Sequence, residues 1–174
     1  MLRETDGLWT VTGALETERL VLRLHTADDL DDLVAFHSDP EIVRYIPWPV
    51  RDRAATHAAL TTKLTQFQAG PDQWLSLAVV YRADGRVIGE ALLHRLESDK
   101  DGAEIGYVIS REYQGKGLAS EAVAALVDEA RSSLGVKRFI AKVDPANDAS
   151  LALLERAGFV VAGHPDPGTV LLEL

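Results

Sequence analysis

Ser110-Arg111-Glu112-Tyr113-Gln114-Gly115-Lys116-Gly117-Leu118-Ala119-Ser120-Glu121-Ala122 decides how this chain is read. A strand-like run, residues 104–109, leads into it, and a helix-like run, residues 118–134, follows. The first N–H groups of a helix have no intrahelical partner, and the helix start carries the positive end of its dipole. A turn that aims such groups outward suits anions, phosphate above all. Gly115 and Gly117 let an anion approach the main chain with no Cβ in the way, and Lys116 adds a cation. Two familiar phosphate loops do not fit. The Walker pattern needs Ser or Thr after its lysine, whereas Gly117 follows Lys116. The Rossmann fingerprint needs three glycines, and this turn has two. A plain strand-to-helix turn would use the same residues, so the rest of the chain has to decide.

Length and composition set the bounds. A chain of 174 residues is expected to form one domain, 1–174, with residues 1–15 as an N-terminal extension. Hydrophobic content of 47% and charged content of 26% are those of a globular protein. The absence of cysteine excludes disulfides, a thiol nucleophile and a thiolate zinc site. Residues 1–12 lack the apolar core of a signal peptide, and no apolar run approaches the ~20 residues of a membrane span. A soluble, cytoplasmic protein without membrane partners is expected. The net charge of −9 argues against general nucleic-acid binding. Residues 111–142 carry six bases and four acids, net +2, whereas the remainder carries −11. Chance scatter would also give such an asymmetry. If functional, it suits a polyphosphate at the turn and a cationic acceptor elsewhere.

Hydrophobic period and turn residues give the element order. Residues 20–24 alternate as a strand. Thr26 or Asp28 caps a helix to about His37, and Asp39-Pro40 stops or restarts it. Residues 52–68 read as a second helix, ended by Gly70-Pro71. Residues 74–81 and 87–94 are strands around the hairpin turn Ala83-Asp84-Gly85-Arg86. A third strand, 103–109, precedes the phosphate turn and its helix. A strand at 139–143, a short helix beginning near Asn147 and a last hairpin, 159–162 with 169–174, complete the chain. The fold class is therefore α/β (α+β): one mixed, mostly antiparallel sheet of about six to seven strands, with helices on both faces.

Several stretches, in order, resemble one family. Gln114-x-x-Gly117-x-Ala119 is similar to the pyrophosphate loop of the GNAT N-acetyltransferases. Glu18-Arg19-Leu20-Val21-Leu22-Arg23, Ser38-Asp39-Pro40-Glu41, Tyr45-Ile46, Ala103-Glu104-Ile105-Gly106-Tyr107, Asn147-x-x-Ser150 and Gly158-Phe159 resemble its RimJ/RimL-like branch, the ribosomal-protein N-terminal acetyltransferases. The resemblance spans about residues 16–174. It implies the GNAT fold with two splayed central strands, acetyl-CoA as co-substrate and no metal. The five histidines show no metal spacing either.

The resemblance also assigns places. The pantetheine arm would bond main-chain groups near Val108 and Ile109, and one N–H there would stabilise the oxyanion. The pyrophosphate would sit on Gln114, Gly115, Lys116, Gly117, Leu118, Ala119 and Ser120, and Asn147 would reach the pantetheine. Asn147 is equally readable as a helix N-cap. The acceptor amine would attack the thioester directly. An α-amine, with a pKa of ~7.7–8.0 against ~10.4 for lysine, needs little help from a base. Glu104 is the candidate base, with Glu90 its rival and a solvated strand-end carboxylate the bland alternative. An arginine pairing would explain Glu90. His94 shares a strand face with Glu90 and could relay a proton, or be an exposed strand-end residue. Ser150 is the candidate thiolate contact, or a first-turn hydroxyl bonded to backbone. Relatives place a tyrosine near this helix, and this chain has none after Tyr113.

The resemblance implies transfer of an acetyl group to a primary amine; the sequence itself does not name the acceptor, and the RimJ/RimL-like branch favours a protein N-terminus by analogy only. A small amine (antibiotic, polyamine or amino-acid derivative) and a non-catalytic acyl-CoA-binding module are the alternatives. Tyr45, Trp48 and Trp74 are candidates for the acceptor wall, with core packing the competing use. The loop at residues 164–168 is short, so the acceptor site would be open or closed by a second subunit; a monomer or a homodimer fits.

Overall fold

In the computed structural model, which describes residues 1–174, the chain builds eleven strands and five α-helices. A hairpin of β1 (Leu2–Thr5) and β2 (Leu8–Val11) comes first, then β3 (Leu15–Glu16) and β4 (Leu20–Arg23). A 3-10 turn, Ala27–Asp29, leads into α1 (Leu30–His37), followed by α2 (Pro40–Val43), α3 (Arg53–Lys63) and β5 (Gln68–Ala69). Next come β6 (Trp74–Tyr81), β7 (Val87–Arg95) and β8 (Gly102–Ile109), then α4 (Leu118–Leu134) and β9 (Arg138–Val143). The chain ends with α5 (Asp148–Arg156), β10 (Val160–Asp166) and β11 (Thr169–Glu173).

Eight strands form the main sheet in the order β10-β11-β9-β8-β7-β6-β4-β3, and β1-β2-β5 form a small second sheet. The eighth strand beyond the expected seven is β3, whose two residues are too short to carry a period of two. Two other differences have physical causes. The N-terminal extension is folded: Asp6 and Gly7, both at positive φ, make the tight turn that an Asp-Gly pair favours. Trp9, 1% exposed, anchors the hairpin in the core, and the Met1 amino group pairs with Glu129 of α4 at 2.9 Å. The second helix stops at Lys63, short of residue 68, because Gln68 and Ala69 pair with Thr10 and Trp9. Helix periodicity there yields to a ladder that only the folded hairpin supplies.

α4 packs on one face of the main sheet. Its Leu118, Ala122, Val123, Leu126, Val127 and Ala130 recur at helical spacing and are buried with Phe139, Ala141 and Leu154. α1 and α3 cover the other face through Leu33, Phe36 and Leu60 against Ala78 and Val108. Cross-strand partners share a face, so the register stacks three rows there: Ala78–Glu90–Val108, Ser76–Leu92–Gly106 and Trp74–His94–Glu104.

β8 and β9 make the only parallel pair. They are in register from Gly102↔Arg138 to Glu104↔Ile140, and beyond that point they part. Ser110 N–H bonds Ile88 O and Leu96 N–H bonds Gly102 O, both in the register of the β7–β8 ladder. Antiparallel hydrogen bonding alternates along a strand, so the even-numbered residues of β8, Val108 among them, bond to β7. The N–H groups of Tyr107 and Ile109 therefore face the opened side.

Candidate active site

The phosphate turn is built by two left-handed glycines. Gly115 at φ +72° and Gly117 at φ +75° adopt a backbone that side chains rarely tolerate, and Gly117 stands at the N-cap of α4. No backbone N–H of residues 115–120 makes a hydrogen bond within the chain. Six consecutive donors thus point away from the protein's own acceptors at the start of a 17-residue helix.

The turn is held from outside. The Arg19 guanidinium donates to Lys116 O at 2.9 Å and to Glu121 Oε2 at 2.6 Å. Glu121 Oε1 accepts from the Arg19 main chain at 2.9 Å and from the Thr17 hydroxyl at 2.6 Å. Burial opposes ionisation of Glu121, but the bonds from Thr17 and Arg19 outweigh it and hold its carboxyl below the ordinary range. Gln114 Nε2 donates to Ile109 O at 2.8 Å, tying the turn back to β8. Tyr113 donates its hydroxyl to Asp84 of the β6–β7 hairpin at 2.8 Å. The Lys116 ammonium lies over the Tyr113 ring, 5.1 Å from its centroid.

From this turn a groove of about 460 Å³ runs along the opened edge of β8, between α2 and α5. Val108, Ile109, Gln114, Gly115, Gly117, Leu118, Ala119, Ser120, Asn147 and Ser150 all border it. Lys116 contributes its main chain to the turn but does not line the groove. Sequence reasoning missed Arg156, a cation on the wall, and Tyr107. Of the three aromatics proposed for the acceptor wall, Tyr45 lines the groove. Trp48 packs edge-on to His37, and Trp74 stacks on His94 in the row of Glu104; neither lines the groove.

Asn147 caps α5: its Oδ1 accepts the Ser150 N–H at 3.2 Å, while its Nδ2 makes no bond in the chain. The N-cap role is therefore realised, and the amide's donors remain available to the groove. Ser150 Oγ is bonded not to backbone but to the Tyr107 hydroxyl, at 2.6 Å. Burial pushes the Tyr107 phenol up, against the hydrogen bond with Ser150 and the charge of Arg156, so it stays protonated at neutral pH, and either hydroxyl can donate to the other. Phenol chemistry missing from the C-terminal third is thus present on β8.

Glu104 lies on the opposite face of β8 from Tyr107, where β8 and β9 part. It is 8% exposed, and its Oε2 accepts from Lys142 Nζ at 2.7 Å. Glu90 differs. It is 0% exposed and bonds His25 at 3.2 Å, His37 at 3.1 Å and Lys63, whereas neither it nor Glu104 lines the groove itself. Histidines and a lysine, not an arginine, satisfy it. Burial is outweighed by these bonds and charges, which hold its carboxyl well below the usual range. A carboxylate so fully engaged is a poor base.

A strand-turn-helix with unpaired N–H groups beside two parting strands fits an acyl-CoA-type transferase scaffold, and the comparisons agree. Residues 19–160 match the acetyltransferase (GNAT) domain family. An uncharacterised N-acetyltransferase, p20, of Bacillus licheniformis is 34% identical over 153 residues, covering 86% of this chain and 83% of that protein. The ribosomal-protein-serine acetyltransferase of Escherichia coli is 28% identical over 118 residues, covering 67% of this chain and 64% of its own. A solved structure of RimL, a ribosomal L7/L12 alpha-N-protein acetyltransferase in complex with coenzyme A, superposes with a TM-score of 0.75 at 20% identity, over 92% of this chain and 97% of that one. The chain belongs to the GNAT family. It is an N-acetyltransferase of that family, similar in its fold to the RimJ/RimL-like members.

Proposed function

We propose that the protein, as one catalytic unit, moves the acetyl group of acetyl-CoA onto the primary amine of a protein N-terminus. The observation that carries the placement of acetyl-CoA is the run of unpaired N–H groups at residues 115–120, opening into the groove. Those donors, with the helix start, fit a pyrophosphate. Asn147 Nδ2 and the opened main chain at Tyr107 and Ile109 fit the amides of a pantetheine arm.

The acceptor enters from the Glu104 side. Glu104 takes a proton from the ammonium, directly or through water. The freed nitrogen attacks the thioester carbon, and the oxyanion is received by a β8 N–H on the opened edge. As the carbon–sulfur bond breaks, the adduct's nitrogen gives up its second proton to water in the cleft; the thiolate takes a proton from Ser150, itself supplied by Tyr107, and that water reprotonates the phenolate. Support for a protein N-terminus comes from the ribosomal-protein acetyltransferases among the relatives and from the low pKa of an α-amine, which asks little of any base. No metal is needed for these steps.

The test is thiol release from acetyl-CoA with N-terminal peptides, polyamines, aminoglycosides and amino acids, alongside calorimetry of acetyl-CoA binding. Turnover with the N-terminal peptides is expected. Turnover confined to a small amine would replace the acceptor. Binding with no turnover on any amine would argue for a non-catalytic acyl-CoA module. Gly117→Asp sets a carboxylate among the phosphates and forces a side chain into φ +75°, so acetyl-CoA binding should be lost; unchanged affinity would remove the pyrophosphate from this turn.

A further inference from the structure

One group beside the site has no role in the steps above. His94 lies between two carboxylates on the Glu104 face of the sheet. Its Nε2 is 3.1 Å from Asp72 Oδ1, and its Nδ1 is 3.8 Å from Glu104 Oε2. A carboxylate only accepts, so Asp72 selects the neutral tautomer with hydrogen on Nε2. Nδ1 then carries a bare lone pair. It is buried and has no hydrogen-bond partner, and it faces the carboxylate. Trp74 stacks on the ring at 4.6 Å, with the planes 13° apart, and favours this pose. Asp72 is held too, with a left-handed backbone at φ +60° and its N–H on Arg95 O at 2.8 Å.

An unsatisfied buried acceptor is costly, and here it lies 3.8 Å from the carboxylate that becomes a donor during turnover, a gap that a small shift of the Glu104 carboxyl closes. We propose that His94 is the proton store of the reaction, keeping Glu104 ionised while the acceptor is acetylated; this rests on the reading of Glu104 as the base. The ammonium gives its proton to a Glu104 oxygen. The new carboxyl O–H gives that proton to His94 Nδ1, and the Glu104 charge is restored. The imidazolium so formed donates to Asp72 through Nε2 and to Glu104 through Nδ1. Lys142, on the same Glu104 oxygen, opposes this second positive charge, while Asp72 and Glu104 favour it. After the acetylated product leaves, the proton returns through Glu104 to water in the vacated cleft. Asp72 and Trp74 are positioning residues for this ring.

Two measurements test the proposal. The first needs no acceptor. Histidine 15N spectra should show neutral His94 as the Nε2–H tautomer, with a titration midpoint that falls in both Asp72→Asn and Glu104→Gln. An Nδ1–H tautomer, or a midpoint indifferent to Glu104, would overturn it. The second uses the amine that the wild-type enzyme turns over best. General acid–base groups contribute about 10²–10⁴ in rate, and His94→Ala should lose about ten- to a hundredfold in kcat with acetyl-CoA affinity kept. Added imidazole should restore part of that loss. Unchanged kcat, or a loss that imidazole does not touch, would mean that the ring only packs. Should the wild-type enzyme turn over no amine, the reading of Glu104 fails, and the spectra still judge His94.

Discussion

Glu90 and Glu104 project from adjacent strands on the same face of one sheet, two rows apart, and they behave in opposite ways. Glu90 is sealed under α1 and α3, with both oxygens engaged by His25, His37 and Lys63. Glu104 stands where β8 and β9 separate, with one firm partner, Lys142, whose side chain is half exposed. A charge deep in a protein survives only if its desolvation is offset by partners on every side. Meeting that demand uses up its capacity to bind a proton. A carboxylate at an opening can keep one oxygen uncommitted, and only that one can serve the chemistry.

The contrast can be broken by substitution. Glu104→Gln should lower kcat by about 10²–10⁴, with acetyl-CoA affinity and the melting temperature nearly unchanged. Steady-state rates and calorimetry check both halves, and a stability loss without a rate loss would exchange the two residues' roles. Glu90→Ala should show the reverse. Leaving Lys63 and the two histidines without their anion should cost about 3–5 kcal/mol, read from urea unfolding, while the kcat of the folded fraction stays near wild type.

A pH series sharpens the same comparison. The folded-state pKa of Glu90 is depressed, so its contribution to stability is fully present above the unfolded value of ~4.3 and is lost as pH falls through the folded value. The stability gap between wild type and Glu90→Gln should therefore be constant from neutral pH down to about 5 and narrow below it. A gap that widened on acidification would contradict an ionised Glu90. The smallest effect belongs to the other side of β8. Tyr107→Phe keeps the ring and removes the hydroxyl bonded to Ser150 and proposed to supply it, so kcat should fall by about tenfold or less, the more so with acceptors whose transfer limits the rate. An equal fall in acetyl-CoA affinity would make the Tyr107–Ser150 pair a binding contact instead.

Much of this was legible in one dimension because it is local. Gly115 and Gly117 announce a left-handed turn wherever they stand, and the apolar spacing of residues 118–134 announces the helix that follows. Period-two alternation put His94 on the Glu90 face of β7, but not beside Glu104, because the register between β7 and β8 is set by the whole hairpin. Three failures have the same origin. The end of α3 depends on β2, formed some sixty residues earlier. Tyr107 and Ser150, 43 residues apart, meet only because α5 folds back over β8. Asp72 has no motif at all; it reaches His94 through a left-handed turn braced on Arg95.

By itself, then, the order of residues determined what short-range physics controls: the element sequence, the two-glycine turn ahead of α4, and through them membership in a family of acetyl-transferring enzymes. Tertiary structure alone decided which buried carboxylate is sealed with both oxygens engaged and which stands where β8 and β9 part with one firm partner. Ionisation and reactivity depend on partners brought together across the sheet, and no local period encodes those partners.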